Sequence, residues 1–241
     1  MKKLGRMNEI AWVAGIVLCA LGVCLITKAD FGLSMIAAPA YILHNGFIKI
    51  FPWYTQGTSE YIFQGVLLIL LCIAVRRFRF RYLLSFVTAV LFGLTLDGWF
   101  FVFGGNAAYT GLAVRIFAFF MGSLSTGFAI AFFFRTRLPL QIYELVVTEL
   151  SDRYGWKNTT VKQIYDAVSL LLSVLLAVLV NRSMTGIGIG TVILTVVNAP
   201  LIALSGKLLD RIFVFDSLFA KGDGDRERKG RGDRKREEEK E

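Results

Sequence analysis

At 241 residues, with 55% hydrophobic and 14% aromatic content and a mean hydropathy of +0.59, the chain carries more apolar surface than a soluble domain of this size hides, which makes it an integral membrane protein. The formal net charge of +9 does not point to nucleic acid, because the cations collect in short loops beside apolar runs and no recognition motif accompanies them. Cys19, Cys24 and Cys72 fall inside apolar runs without paired spacing and read as small hydrophobes, so neither a disulfide framework nor a metal or other cofactor is expected.

Lys2, Lys3 and Arg6 precede an apolar run from about residue 10 to 27, so residues 1–9 are expected in the cytoplasm and the first helix is expected to end outside near Lys28 and Asp30. Its basic-then-apolar order resembles a signal peptide, but Lys28-Ala29-Asp30 is a poor cleavage site, and the segment is read as an uncleaved helix. Residues 31–54 are apolar but broken by Pro39, the trio His44, Asn45 and Gly46, Lys49 and Pro52, whereas a span needs about 20 continuous apolar residues. As a full crossing they would also place the cluster Arg76, Arg77, Arg79 and Arg81 outside, against the positive-inside rule. They are therefore expected to form a re-entrant element that returns to the outer face, covered by protein or a watery cavity.

Thr58 or Ser59 is expected to cap a second helix running in to about Val75 and the arginine cluster. A third, about 82–103, returns outward with Asp97 in its outer third and ends at the turn Gly104-Gly105-Asn106. A fourth, about 112–134, carries the small residues Gly122, Ser123, Ser125, Thr126 and Gly127 and stops at Arg135 and Arg137. Residues 139–156 are too short and too charged to span and are placed on or partly within the inner face as an amphipathic element. Thr159 or Thr160 is expected to cap the fifth helix, about 162–180, and the sixth runs from about 187 to 209. On this path the inner side also takes Arg153, Lys157, Lys162, Lys207 and Arg211, while the outer side holds only Lys28, Lys49, Arg115 and Arg182; both termini are expected inside. The tail, 212–241, ends in a charged run without apolar residues and is expected to be a disordered cytoplasmic tether.

The expected fold class is thus an all-α polytopic membrane protein: six transmembrane helices in a three-plus-three inverted repeat, 10–103 and 104–211, with a broken or re-entrant element in each half. Residue echoes support the repeat. Thr58-Ser59 matches Thr159-Thr160, and Gly93 to Asp97 matches Gly206 to Asp210, each Gly-x-x-x-Asp. Inverted repeats with interrupted elements are a transporter arrangement whose solute sites lie near the breaks.

The stretch GVCLITKADFGLS, the Tyr-x-Phe-Gln-Gly at Tyr61 to Gly65, the arginine cluster and the Gly-x-x-x-Asp endings resemble bacterial membrane proteins of the YitT/YczE type over about residues 10–211. Where such proteins carry a Ser-Pro-Trp-like turn after the first helix, this chain has Ser34-Met35-Ile36 with Pro39 later. The resemblance implies a multi-pass protein of the bacterial plasma membrane and no settled activity.

Asp97 is the leading candidate on a solute path, since an ionisable group in a span is costly and faces a cavity or a partner; the plain alternative is an outer-interface residue that caps a helix or pairs with Arg115. Asp210 reads as an inner ion-pair partner beside Lys207 and Arg211. His44, the lone histidine, and Asn45 sit at the break, where they serve either a solute or freed carbonyls, while Gln64, Thr88, Thr195 and Asn198 suit interhelical hydrogen bonds first and a solute path second. Lys28 and Asp30 form a candidate vestibule pair, and Pro200 marks a kink. Gly186 to Gly190 lacks the lysine of a phosphate loop, and HExxH, GxSxG and reacting carboxylate pairs are missing, so an enzyme is not expected. The expected function is a small-solute permease or secondary transporter. The alternatives are the substrate-capturing subunit of a multi-part importer and an accessory membrane protein. The expected partners are the bilayer, a small-molecule solute and, through the amphipathic segment Leu140 to Leu150 or the small-residue face of the fourth helix, a second copy; nucleic acid is not.

Overall fold

A computed structural model describes residues 7–136, 138–182 and 186–212. Lys2, Lys3, Arg6, Arg137 and the tail from residue 213 lie outside the described residues. The described chain forms eight α-helices: α1 (Met7–Ala29), α2 (Ala38–Phe47), α3 (Gln56–Val75), α4 (Phe80–Val102), α5 (Leu112–Arg135), α6 (Ile142–Tyr154), α7 (Asn158–Leu176), which runs on into a π-helical turn Ala177–Asn181, and α8 (Ile189–Ile212). Six of them, all but α2 and α6, are long and apolar enough to cross a membrane, so the protein is a polytopic membrane protein.

The two short helices fall where the sequence is interrupted. In α2, Pro39 sits in the first turn, where its missing N–H leaves no bond unmade. The start of α6 is set by Pro139 and its end by Gly155 in the left-handed conformation, whose N–H bonds Ser151 O. Of the two placements expected, on or partly within a face, burial favours the second: α6 buries Ile142, Tyr143, Leu145, Val146, Val147, Glu149 and Ser151. Its first residue meets Gln64 of α3, and Gln141 reaches Cys19 in the middle of α1 (3.9 Å). Its far end sits at the α3–α4 turn, where Glu149 takes Arg79 (3.2 Å) and Tyr82 (2.7 Å). The element therefore inserts from that turn toward the middle of the spans.

Two helix starts differ from expectation. For α3 the cap is Thr55, whose hydroxyl accepts from Thr58 N, rather than Thr58 or Ser59, because the extended conformation that frees a cap falls at Thr55. For α7 the cap position is Lys157, without a side-chain cap bond, so the helix begins before Thr160.

Helix α1 is the centre of the packing, lying against α4 and α5, with α8 on the other side of α5. The crossing of α1 with α5 brings backbones together: a Cβ on Gly22 would come within 2.7 Å of Gly122 O, and one on Gly122 within 2.8 Å of Gly22 O. Ser125 adds a hydrogen bond to Leu18 O (2.7 Å). A second layer holds α3 and α7 with both short helices between them, each short helix touching both long ones. The spans of α7 and α8 bury only 17% and 22% of their residues, against 39–56% for the other four, and α7 makes no packing contact with α8 among the described residues. Their outward rows, including Leu171, Leu179, Val192 and Val196, are left to lipid.

Candidate functional site

The two short helices meet on consecutive residues of α3. Ser59 donates to Ala40 O in the first turn of α2, and one residue on, Glu60 Oε2 accepts from the Tyr143 hydroxyl of α6 (2.7 Å). One turn further, Gln64 Oε1 accepts from Ile142 N (3.3 Å), so α3 supplies the cap that α6 lacks in its own sequence. Thr88 of α4 and Trp12 of α1 both donate to Pro139 O (3.3 and 3.1 Å), pinning the peptide that leads into α6.

The same face of α3 carries a row of polar side chains four residues apart, Gln56, Glu60 and Gln64, exposed by 1%, 0% and 0%. Each has one buried atom without a hydrogen-bond partner: Gln56 Oε1, Glu60 Oε1 and Gln64 Nε2. Buried polar groups are paired in the great majority of cases, so three orphans in one row are unusual. The amide orientations follow from the partners. Thr27 spends its hydroxyl hydrogen on Val23 O (2.8 Å) and so accepts from Gln56 Nε2 (3.4 Å), which leaves the Gln56 oxygen free. The Gln64 oxygen is fixed by Ile142 N–H, which leaves its amine free.

Asp97 stands next to this row. Its carboxylate takes the Thr55 hydroxyl (2.5 Å) and Gly57 N (2.8 Å), capping α3 from α4, where the positive end of the helix dipole favours an anion. The contact depends on Gly57 and Gly93, since a Cβ on Gly57 would lie 2.0 Å from Gly93 O. Arg115 instead binds Ala29 O and the backbone and carboxylate of Asp30, with its guanidinium 4.8 Å from the Phe31 ring centre. Lys28 and Asp30 thus take separate partners. The lysine is buried, donating to Gly105 O (2.7 Å) and Ala107 O (2.8 Å) under the Tyr109 ring.

His44 bonds Tyr54 O through Nδ1 (2.9 Å) and the Asn106 amide through Nε2 (2.7 Å). A carbonyl only accepts, so Nδ1 carries the hydrogen, and the neutral ring accepts at Nε2. Asn45 donates back to Tyr41 O (3.2 Å). Asn198 has a buried, unpartnered oxygen on α8, near Pro200 inside the helix, and Thr195 bonds Thr191 O. Asp210 grips Arg135 with both oxygens (2.6 Å each) rather than Lys207 or Arg211, because Gly206 opens the α8 surface on which the guanidinium lies. The arginines at 76, 77 and 81 are exposed, and Arg79 reaches Glu149. The glycine run 186–190 lies against the loop after α1, with Leu33 N on Gly186 O and Gly190 N on Phe31 O.

The structure therefore gathers Gln64 and Thr88 at the start of α6, and places Asp97 at the start of α3 and His44 and Asn45 at the end of α2; Asn198 stands apart on α8. Sequence reasoning missed Glu60, Gln56 and Tyr143. Glu60 sits within the first turns of α3, where an acid is ordinary. Its signal was the spacing of four among Gln56, Glu60 and Gln64.

A family model described as a family of unknown function, DUF6198, matches residues 7–207. The chain belongs to that family. It is similar to the uncharacterized protein YyaS of Bacillus subtilis (strain 168), at 26% identity over 211 residues, covering 86% of this chain and 96% of that protein. No solved structure matches. Membership in DUF6198 carries no activity with it, so function rests on the geometry.

Proposed function

We propose that this DUF6198 protein is a small-solute secondary transporter of the bacterial plasma membrane, built as two inverted halves, α1–α4 and α5–α8, with one interrupted helix in each. The observation that carries the reading is the row Gln56, Glu60 and Gln64, whose three unpartnered atoms sit where both interrupted helices meet α3. Unspent hydrogen-bonding capacity inside a membrane protein marks a place where a polar guest completes the pairing. Exchange of the halves maps part of the packing onto itself, α1 on α4 onto α5 on α8 and α2 on α7 onto α6 on α3, while α3 on α4 has no counterpart between α7 and α8 among the described residues. The resemblance to YitT/YczE-type proteins belongs to this reading, as does the earlier assignment of Asp97, His44, Asn45, Thr88 and Asn198 to a solute path. Asp97 serves it chiefly by holding the first turn of α3, and with it the row.

A ligand that binds only the folded state adds stability, about 2.7 kcal/mol at a hundred times its Kd. Melting the detergent-purified protein against pooled small metabolites is expected to give at least one upward shift. That shift is lost in Gln56→Leu, and the ligand found is taken up by liposomes holding the protein. Broad silence in the screen, together with no uptake of any pooled metabolite, refutes the reading.

A further inference from the structure

Glu60 is fully buried between α3 and α6, and among the described residues no cation pairs with it. Among the described residues, the titratable groups in electrostatic reach are Cys19 of α1, Tyr143 of α6 and Tyr165 of α7, and Glu144 of α6 acts on the same three. On the other helices packed against α3, Asp97 and Tyr82 of α4 are engaged by Thr55 and Gly57 and by Glu149, and His44 of α2 by Tyr54 and Asn106, while Tyr41 of α2 lies beside Asn45. Lys162 is bonded to Asp166 (2.9 Å) and Arg79 to Glu149. A carboxyl group in the membrane interior with no positive partner has its charge removed by a bound cation, and the smallest is a proton.

We propose that Glu60 is a proton-binding site, loaded and unloaded at Oε1 while Oε2 stays on the Tyr143 hydroxyl. The row on α3 suits both states. When Oε1 carries hydrogen, its O–H has an acceptor one turn back in the free oxygen of Gln56; when the O–H bond breaks and the proton leaves to water, the carboxylate has a donor one turn on in the free amine of Gln64. Oε2 accepts from Tyr143 in either state. A sodium ion is the poorer fit, because only two oxygens of the row, those of Gln56 and Glu60, lack partners, against the six or so that a hard cation gathers. Resting on the transport reading, the proton at Glu60 is the ion whose movement drives the solute.

The test is infrared difference spectroscopy of the full chain in liposomes, between acid and alkaline buffer, in the carbonyl region of protonated carboxyl groups. The expected result is a band that titrates in the parent, is absent in Glu60→Gln, persists in Glu144→Gln, and moves in frequency in Tyr143→Phe, which removes a hydrogen bond from Oε2 but leaves the carboxyl group. Tyr143→Phe keeps the test valid if Glu60→Gln fails to fold. An unchanged band in both variants overturns the proposal, and so does suppression of the band by sodium at constant pH, which assigns the site to that ion. No solute enters this experiment. An intact band with no uptake by liposomes therefore removes the transport reading and leaves the proton site standing.

Discussion

Several polar side chains in the spans spend themselves on the ends of other helices. Asp97 caps α3 from α4, and Gln64 caps α6 from α3, because the first turn of a helix leaves N–H groups that have no water to turn to in a bilayer. His44 does similar work for two loops, tying α2 to Tyr54 and Asn106. Burial pushes its imidazole below the ordinary value, against the opposing pull of the Tyr54 carbonyl. The sign follows from linkage: a ring that binds its proton more weakly in the folded state than in the unfolded one supports the fold above the unfolded value, about 6.5, and loses that support as pH falls below it. Melting temperature measured from neutral into mildly acid buffer is expected to fall more steeply in the parent than in His44→Gln. Equal slopes would refute a neutral, buried His44.

Among the helices, the closest approach that carries the architecture is that of α1 and α5, where Gly22 and Gly122 each face the other's carbonyl. Lipid tails are as apolar as leucine, so association here depends on backbone proximity rather than on burial of apolar area. Gly22→Ala and Gly122→Ala each force the helices apart, with an expected cost of about 1–3 kcal/mol. Gly98→Ala, whose added carbon meets nothing within 4 Å, is the matched control. Unfolding in a rising fraction of denaturing detergent measures the difference, and equal loss in all three variants would contradict the crossing. The two Gly-x-x-x-Asp echoes show how far a motif can be carried. Gly93 and Asp97 hold the start of α3, whereas Gly206 and Asp210 hold Arg135 at the end of α5, so the residues recur with different partners.

At the scale of the molecule, six helices long enough to span leave an orientation to be set, and the positive-inside rule predicts the arginines between α3 and α4 on the cytoplasmic side. With native cysteines replaced, Ala108→Cys is expected to react with a membrane-impermeant thiol reagent on intact cells, and Arg77→Cys only after permeabilisation. Both positions are exposed, so the reverse pattern would invert the topology. The six spans were legible because each is a long apolar run bounded by charge or glycine, and hydropathy needs no knowledge of neighbours. The course of α6 was not legible. Its charges left it on or partly within the inner face, whereas Glu149 pairs with Arg79 and accepts from Tyr82, and the Tyr143 hydroxyl donates to Glu60.

By itself the sequence determined the membrane class, the positions of the six long helices and the two places where the chain breaks, since all three follow from local composition and from where proline and charge interrupt it. Only the tertiary structure decided what the breaks are for. The partners of Asp97, Lys28, Gln64 and Asp210 lie 40, 77, 78 and 75 residues away in the chain, and no local pattern encodes such pairings. Glu60 shows this well: an ordinary acid near the start of α3 when read along the helix, it is left with one buried, unpartnered oxygen once α6 is packed against it.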